Sequence, residues 1–385
     1  MRIGIDARFY GPQGKGLGRY TQKLVTNLEK VSPQGGSAFG RDSNQYFIFL
    51  TQENFDEYQP TNPNFKKVLA DCRWYTLKEQ LKMPALLNKY NLDLVHFPHF
   101  NVPIFYRKKF IVTIHDLILI HYPTIRGTTL NPLFYWLKFL AYKFVIRFAI
   151  TRAEKVIAVS NFTRKDILSH YAVNPEKVEM TYEAADDFCW TSNENPEIIL
   201  KKYAIIKPYL LYVGNPYPHK NLEKLILVFA DIISARPDLH LVLVGKDDYF
   251  YARLQTVAKE NNIKNVIFAG YVLDKDLDVV YRQAILYVFP SLYEGFGIPP
   301  LEAMAKGTPV ASSDHACMQE ILGDSAYYFD ATSKNKIAEG LIKILNNENL
   351  RKELTARGYE QIKKYSWKKM AKQTLEIYQQ IADGK

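Results

Sequence analysis

Residues 291–321 read SLYEGFGIPPLEAMAKGTPVASSDHACMQEI. The stretch carries two carboxylates, Glu294 and Glu302, with Gly295, Phe296, Gly297, Ile298, Pro299 and Pro300 between them. Immediately upstream, Ala284 to Pro290 (AILYVFP) has the length and β-rich composition of a buried strand. Downstream, proline at the start and Gly307 just past the end predict a short helix over 301–306. The order is strand, glycine-containing loop, helix N-terminus. Glycine lets backbone N–H groups approach a ligand closely. A helix start adds unpaired N–H groups and partial positive charge, which suit a phosphate. Glu294 in the loop and Glu302 in the first helical turn can each accept hydrogen bonds from a diol. Taken alone, the two glutamates read equally well as a solvated loop residue and a helix-dipole partner.

The rest of the chain repeats the same grammar twice. Arg2 to Ala7 is a short apolar strand leading into a loop with glycines at 11, 14, 16 and 18, then a helix-like run from Thr21 to Leu28. Further strands are expected at 45–50, 65–69, 94–97, 110–114, 156–159 and 178–182, with a helix over 75–92. His96, His99 and Asn101 lie at and beyond the end of the 94–97 strand, and His115 follows the 110–114 strand. Such strand ends are where open α/β sheets hold ligands. After a polar, proline-containing stretch over 187–207, Pro208 to Val213 restarts the pattern. It runs through Gly214 and Asn215 to His219, Lys220 and a helix from Leu222. Strands follow at 239–245, 266–270 and 326–329, and helices at 334–346, 350–364 and 367–381. Asp274, Asp276 and Asp278 have the DxD spacing of a metal site, but a helix start with Asp274 as its cap explains them better.

The whole 385-residue chain fits two domains at about 150 residues each. Hydrophobic residues make up 47% and charged residues 23%, the balance of a globular protein. Cys72, Cys189 and Cys317 are scattered, without metal-ligand spacing, and read as reduced thiols in a cytoplasmic protein. The MRIGIDARFY start reads as a strand rather than a signal peptide. A formal net charge of +10 favours anionic partners. The basic residues are dispersed and no nucleic-acid module is evident, so nucleic acid ranks last. Residues 133–150 (LFYWLKFLAYKFVIRFAI) are the most apolar and aromatic, but Lys138, Lys143 and Arg147 interrupt a membrane span. At 100° per residue Lys143 lies about 140° from Lys138, and Arg147 about 40° beyond it. A core-packing helix pair is the first reading and an interfacial helix resting on anionic lipid the sharper one.

The 291–321 stretch resembles the glutamate-x7-glutamate signature of retaining GT-B glycosyltransferases. It is most similar to glycosyltransferase family 4, in which such loops read EGFGLPxLEAMAxGxPV. The likeness continues in Thr113-Ile-His115-Asp116, similar to TxHD, and in 159–167, similar to VSxFSKxDL. It is weaker at 183–186, where EAAD stands for the usual NGVD. The resemblance implies two facing Rossmann-like domains with a cleft between them. Residues 1–190 would take the acceptor and 191–365 the nucleotide-sugar donor, and 366–385 would cross back onto the first domain. It implies retaining, metal-independent transfer of a hexose from a nucleotide diphosphate sugar, with no cofactor beyond that co-substrate. The acceptor would be a hydroxyl of a glycan or lipid-linked sugar. Its likeness to bacterial mannosyltransferases favours GDP-mannose, then UDP-glucose.

By the same resemblance, Glu294 holds the donor sugar and Glu302 the ribose. Lys220, with the N–H groups near Phe296 and Gly297, holds the diphosphate, and Gly214, Asn215, Gly295 and Ile298 belong to the donor-binding set. The backbone at Val272 meets the base, Gly16 closes over the diphosphate, and His115 hydrogen-bonds the donor sugar and stabilises developing charge. Relatives often add an arginine at the position of Asn215 or His219, so Lys220 and backbone N–H groups carry more of the diphosphate here. His96, His99 and Asn101 are the acceptor candidates. The rival readings are a non-catalytic nucleotide-sugar or glycan-binding protein, and a GT-B phosphorylase or epimerase.

Overall fold

The computed structural model describes residues 1–33, 44–124, 131–185 and 194–384. The chain divides into two compact units. The first comprises Met1–Ile120, Leu133–Glu183 and Ser366–Lys385; the second comprises His121–Pro132 and Ala184–Tyr365. Asp186 and Cys189 lie outside the described residues.

The first unit is built on seven strands: β1 (Arg2–Asp6), β2 (Gln45–Leu50), β3 (Phe65–Leu69), β4 (Leu94–Phe97), β5 (Phe110–Ile114), β6 (Val156–Ala158) and β7 (Val178–Met180). They form one parallel sheet in the order β3-β2-β1-β4-β5-β6-β7. Parallel sheets are covered on both faces, which is why a strand such as FIVTI is buried along its whole length. Side chains alternate between the two layers. Val95 and Phe97 of β4 join a core with Met83 and Leu87 of the helix Leu77–Lys89 and with Tyr142 and Ile146 of the helix Pro132–Arg152. His96, between them, points to the other layer and meets Tyr378 of the helix Trp367–Ala382. That C-terminal helix packs beside the helix Lys15–Val31 as part of the first unit.

The second unit repeats the plan with β8 (Tyr209–Val213), β9 (His240–Val244), β10 (Val266–Gly270), β11 (Leu286–Phe289), β12 (Val310–Ser313) and β13 (Ala326–Phe329). Its parallel sheet has the order β10-β9-β8-β11-β12-β13. In both sheets the strand order reverses beside the first strand, between β1 and β4 and between β8 and β11. A crevice opens at such a switch point, outside the carboxyl ends of the strands.

Several sequence expectations need correction. Residues 133–150 lie in a single long helix, Pro132–Arg152, not a pair. The helix after the 290–297 loop runs Ile298–Ala305, so it begins three residues early. Pro299 and Pro300 sit in its first turn, where a missing N–H costs nothing. Gly16 and Gly18 are helical rather than loop residues, because the helix opens at Lys15 behind a 3-10 turn over Pro12–Gly14.

Candidate functional site

The second unit places two loops side by side. One leaves β8 through Gly214 and Asn215, and the other leaves β11 through Ser291 to Gly297; these strands flank the switch point. Three contacts join the loops. The Leu292 N–H donates to the His219 carbonyl at 2.8 Å. Asn221, in the left-handed region at φ 62°, donates its buried Nδ2 to Pro290 O at 3.2 Å and to Ala331 O at 2.8 Å. The third is the ion pair at the centre: Lys220 Nζ lies 2.5 Å from Glu294 Oε1, with both side chains largely buried. The same ammonium stands 5.6 Å over the Phe289 ring.

The 294–298 loop is fixed from beneath. Gly297 has φ +91°, and a Cβ there would meet Met318 Cε at 2.6 Å, so only glycine fits without displacing Met318. Phe296 is buried edge-on against Tyr365, with ring centroids 5.6 Å apart. The turn ends at Ile298, the first residue of the helix, so Gly295 to Ile298 form a backbone approach to a helix N-terminus. Glu302 now falls in the second turn. It is buried and accepts from Tyr281 Oη at 3.0 Å. Buried tyrosines also brace the β8 loop: Tyr212 Oη donates to Asn215 O, and Tyr287 Oη to Val213 O, both at 3.2 Å. Gly214 adopts φ +148° above the Tyr212 hydroxyl. His219 is pushed down to about 4 by burial and then by the adjacent Lys220, so it is neutral near pH 7 and leaves the positive charge of this loop to Lys220. Val272 follows β10 with its side chain buried, which leaves its backbone as what a ligand could meet.

In the first unit, His115 follows β5. Its Nδ1 lies 2.9 Å from Glu183 Oε1 and its Nε2 2.9 Å from Pro98 O. A carbonyl oxygen only accepts, and a carboxylate accepts as well, so the arrangement favours a proton on both ring nitrogens. Burial opposes that charge, but the Glu183 hydrogen bond and charge, with the Pro98 carbonyl, outweigh it and raise the pKa. Gly16 stands at the other end of this half of the chain. A Cβ on Gly14 would strike Phe9 O and one on Gly18 would strike Gly11 O, whereas on Gly16 it would meet nothing within 4 Å.

Two family models match the chain. "Glycosyl transferases group 1" covers residues 196–361 and "Glycosyltransferase Family 4" covers residues 46–187. O-antigen chain mannosyltransferase B of Escherichia coli is 27% identical over 94% of this chain and 95% of its own length. The Salmonella typhimurium O-antigen chain mannosyltransferase RfbU is 27% identical over 83% of this chain and 84% of its own. Among solved structures, a sucrose-phosphate synthase from Thermosynechococcus elongatus superposes with a TM-score of 0.76 at 19% identity, covering all of both chains.

The chain is a family 4 glycosyltransferase of the GT-B fold.

In this glycosyltransferase two of the three acceptor candidates change role. His96 is fully buried, with Nδ1 2.7 Å from Tyr378 Oη and Nε2 2.9 Å from Thr113 Oγ1. Burial pushes its pKa down to about 3, and His115 adds to the effect. With both nitrogens engaged it cannot meet an acceptor, and it ties the C-terminal helix to β4 instead. Asn101 is buried and gives its Nδ2 to Glu79 Oε1 at 2.8 Å, so its amide is a structural donor. His99 stays half-buried, with Nδ1 3.4 Å from Tyr75 Oη and its ring against Phe9 and Phe100. Asp274 is not a cap: Leu273 holds that position without a side-chain bond. Asp276 and Asp278 are buried against cations, Lys202 Nζ at 2.6 Å and Lys306 Nζ at 2.7 Å.

The sequence reading of the glycosyltransferase missed three functional-looking groups. Glu183 partners His115. Arg8, at the end of β1, is buried with Asp6 Oδ2 at 2.7 Å and Glu79 Oε1 at 2.5 Å. Burial works against its charge, yet Asp6 first and then Glu79 hold the guanidinium above its usual range. Glu79 Oε2 in turn accepts the N–H of Tyr75, an exposed aromatic in the left-handed region at φ 59°. No local periodicity marks such a network, since its members lie 71 residues apart. The EAAD departure at 183 was the one available signal for Glu183.

The His115–Glu183 pair predicts a pH dependence. The folded pKa is raised, so the pair stabilises the first unit fully below the unfolded histidine value of about 6.5. That stabilisation is lost as pH rises through the folded pKa. In Glu183→Gln the His115 ring signal is expected to titrate at lower pH in a proton NMR series. An unchanged midpoint would rule out the carboxylate as its cause.

Proposed function

We propose that the glycosyltransferase moves mannose, with retention of anomeric configuration and without a metal ion, from GDP-mannose to a hydroxyl of a growing glycan or lipid-linked sugar. The observation that carries the donor assignment is the Lys220–Glu294 pair at the adjoining ends of β8 and β11. Lys220 supplies a compact charge for the diphosphate. Gly214, Asn215 and the N–H groups from Gly295 to Ile298 take its oxygens, Glu294 the hexose hydroxyls and Glu302 the ribose. The Val272 backbone takes the base. In the first unit, Gly16 offers a backbone free of any packing need for glycine, and His99 remains the acceptor candidate. His115 acts through its charge, since both of its N–H groups are engaged. The C1–O bond to the β-phosphate breaks with its electron pair passing to the phosphate. The acceptor oxygen bonds to C1 on the same face, and its proton goes to the leaving phosphate. The mannosyltransferase names of the O-antigen relatives, matched over most of the chain, support mannose and a polysaccharide acceptor.

A thermal-shift panel of GDP-, UDP- and ADP-sugars tests the donor. A ligand that binds only the folded state stabilises it by about 2.7 kcal/mol at a hundred times its Kd. GDP-mannose is expected to give the largest rise, and EDTA to leave it unchanged. A larger rise with a UDP-sugar would replace the donor assignment, and loss of the rise with EDTA would overturn metal independence.

A further inference from the structure

Aromatic side chains of the first unit gather beyond the carboxyl ends of three of its strands. Phe9 follows β1, Trp74 and Tyr75 follow β3, and His99 and Phe100 follow β4. Phe9 is the buried centre, its ring centroid 4.5 Å from Trp74 and 5.4 Å from His99. Tyr75 stands on this base 57% exposed, with its ring edge-on to His99 at 6.1 Å. Its backbone lies in the left-handed region at φ 59°, which is strained for a bulky side chain. The surroundings impose that conformation. Buried Glu79 takes the Tyr75 N–H on Oε2 at 2.8 Å, while its Oε1 takes Asn101 Nδ2 at 2.8 Å. Thr76 caps the following helix by accepting the Glu79 N–H at 3.2 Å. A strained backbone is thus held in a form that keeps a large ring in solvent.

His99 supplies a polar edge beside that ring. The Asn101 N–H can only donate, and it points to His99 Nδ1 at 3.4 Å, so Nδ1 accepts. Burial, and then the charge on His115, push the His99 pKa down to about 3, so the ring is neutral near pH 7 and its proton sits on Nε2. Nε2 meets no acceptor among the described residues and is not sealed from solvent. Asp116, next to His115, acts on the Tyr75 hydroxyl through its charge, which sets Tyr75 beside the same histidine.

We propose that Tyr75 and His99 form a subsite for a pyranose ring of the acceptor, with Tyr75 as the residue that selects it. A C–H face of the sugar lies on the Tyr75 ring, and His99 Nε2–H donates to a hydroxyl at the sugar's edge. A pyranose carries both an apolar face and a hydroxyl edge, whereas an alkyl chain would cover the Nε2–H without accepting from it. The subsite rests on the reading of a sugar hydroxyl as acceptor and is independent of the nucleotide in the donor.

Saturation-transfer NMR of the full chain tests it. The probes are the methyl glycosides of mannose, glucose, galactose, rhamnose and N-acetylglucosamine, each alone and with GDP. At least one is expected to receive saturation at its ring C–H protons. Tyr75→Gly removes the ring and suits the left-handed backbone. It should weaken that glycoside about tenfold and hold Tm within about 4 °C of wild type. Tyr75→Phe, which keeps the ring, should bind nearly as well as wild type. His99→Phe keeps the packing, loses the donor and should also weaken binding. The thermal shift from nucleotide sugars reads the second unit and should be the same in Tyr75→Gly, so a wrong donor assignment and a wrong subsite give different results. The proposal is overturned if no glycoside is saturated in wild type, if saturation is undiminished in Tyr75→Gly or His99→Phe, or if Tyr75→Gly loses more Tm than this.

Discussion

Lys220→Ala is expected to lower transfer by at least about 10²–10³-fold, the usual loss when a preorganised charge facing a leaving group is removed. It should also lower stability by about 3 kcal/mol, because the deletion leaves the mostly buried Glu294 carboxylate without its partner 2.5 Å away. Glu294→Ala should be as inactive for a different reason: the hexose loses its acceptor of hydroxyl hydrogen bonds. The two losses separate in the double variant Lys220→Met/Glu294→Gln. Removing both charges should restore most of the stability and none of the turnover. Urea unfolding and a sugar-transfer assay on the wild type and the three variants measure both quantities. Wild-type turnover in either single variant would end the assignment of this pair to the donor.

The other large effect lies in the first unit. Arg8→Met is expected to cost about 3–5 kcal/mol, since it leaves Asp6 and Glu79 buried without a counter-charge. Arg8→Lys should recover only part. The guanidinium donates Nε to Asp6 Oδ1 at 2.8 Å and Nη2 to Oδ2 at 2.7 Å, a fork that a single ammonium cannot reproduce. Chemical denaturation monitored by fluorescence would measure both. A loss under 1 kcal/mol for Arg8→Met would mean that solvent reaches the two carboxylates.

What the sequence made legible was local. The 291–321 stretch combines a strand-length apolar run, glycines that let the backbone approach a ligand, and prolines suited to a first helical turn; each is readable within a few residues. The strand positions followed from apolar runs that a parallel sheet buries on both faces. The helix start at Ile298 was misjudged because proline marks a first turn without saying which residue of it. Groups defined by distant partners were out of reach. His96 looked like a strand-end ligand because nothing near it in sequence announces Tyr378, 282 residues later. Likewise, the segment His121–Pro132 is counted with the second unit, where the His121 ring stacks on Tyr293 at 4.7 Å. Such a contact leaves no periodic trace.

The bracing beneath the β8 and β11 loops has a thermodynamic consequence. Tyr212, Tyr287 and Asn221 hold those loops from below, with hydrogen bonds to main-chain carbonyls. A nucleotide sugar arriving there meets a surface that has already surrendered its conformational entropy, so little ordering is left to occur on binding. Calorimetry should register this as a small entropic penalty. Tyr287→Phe, which keeps the ring and removes one carbonyl contact, should enlarge that penalty while leaving every group that touches the ligand in place.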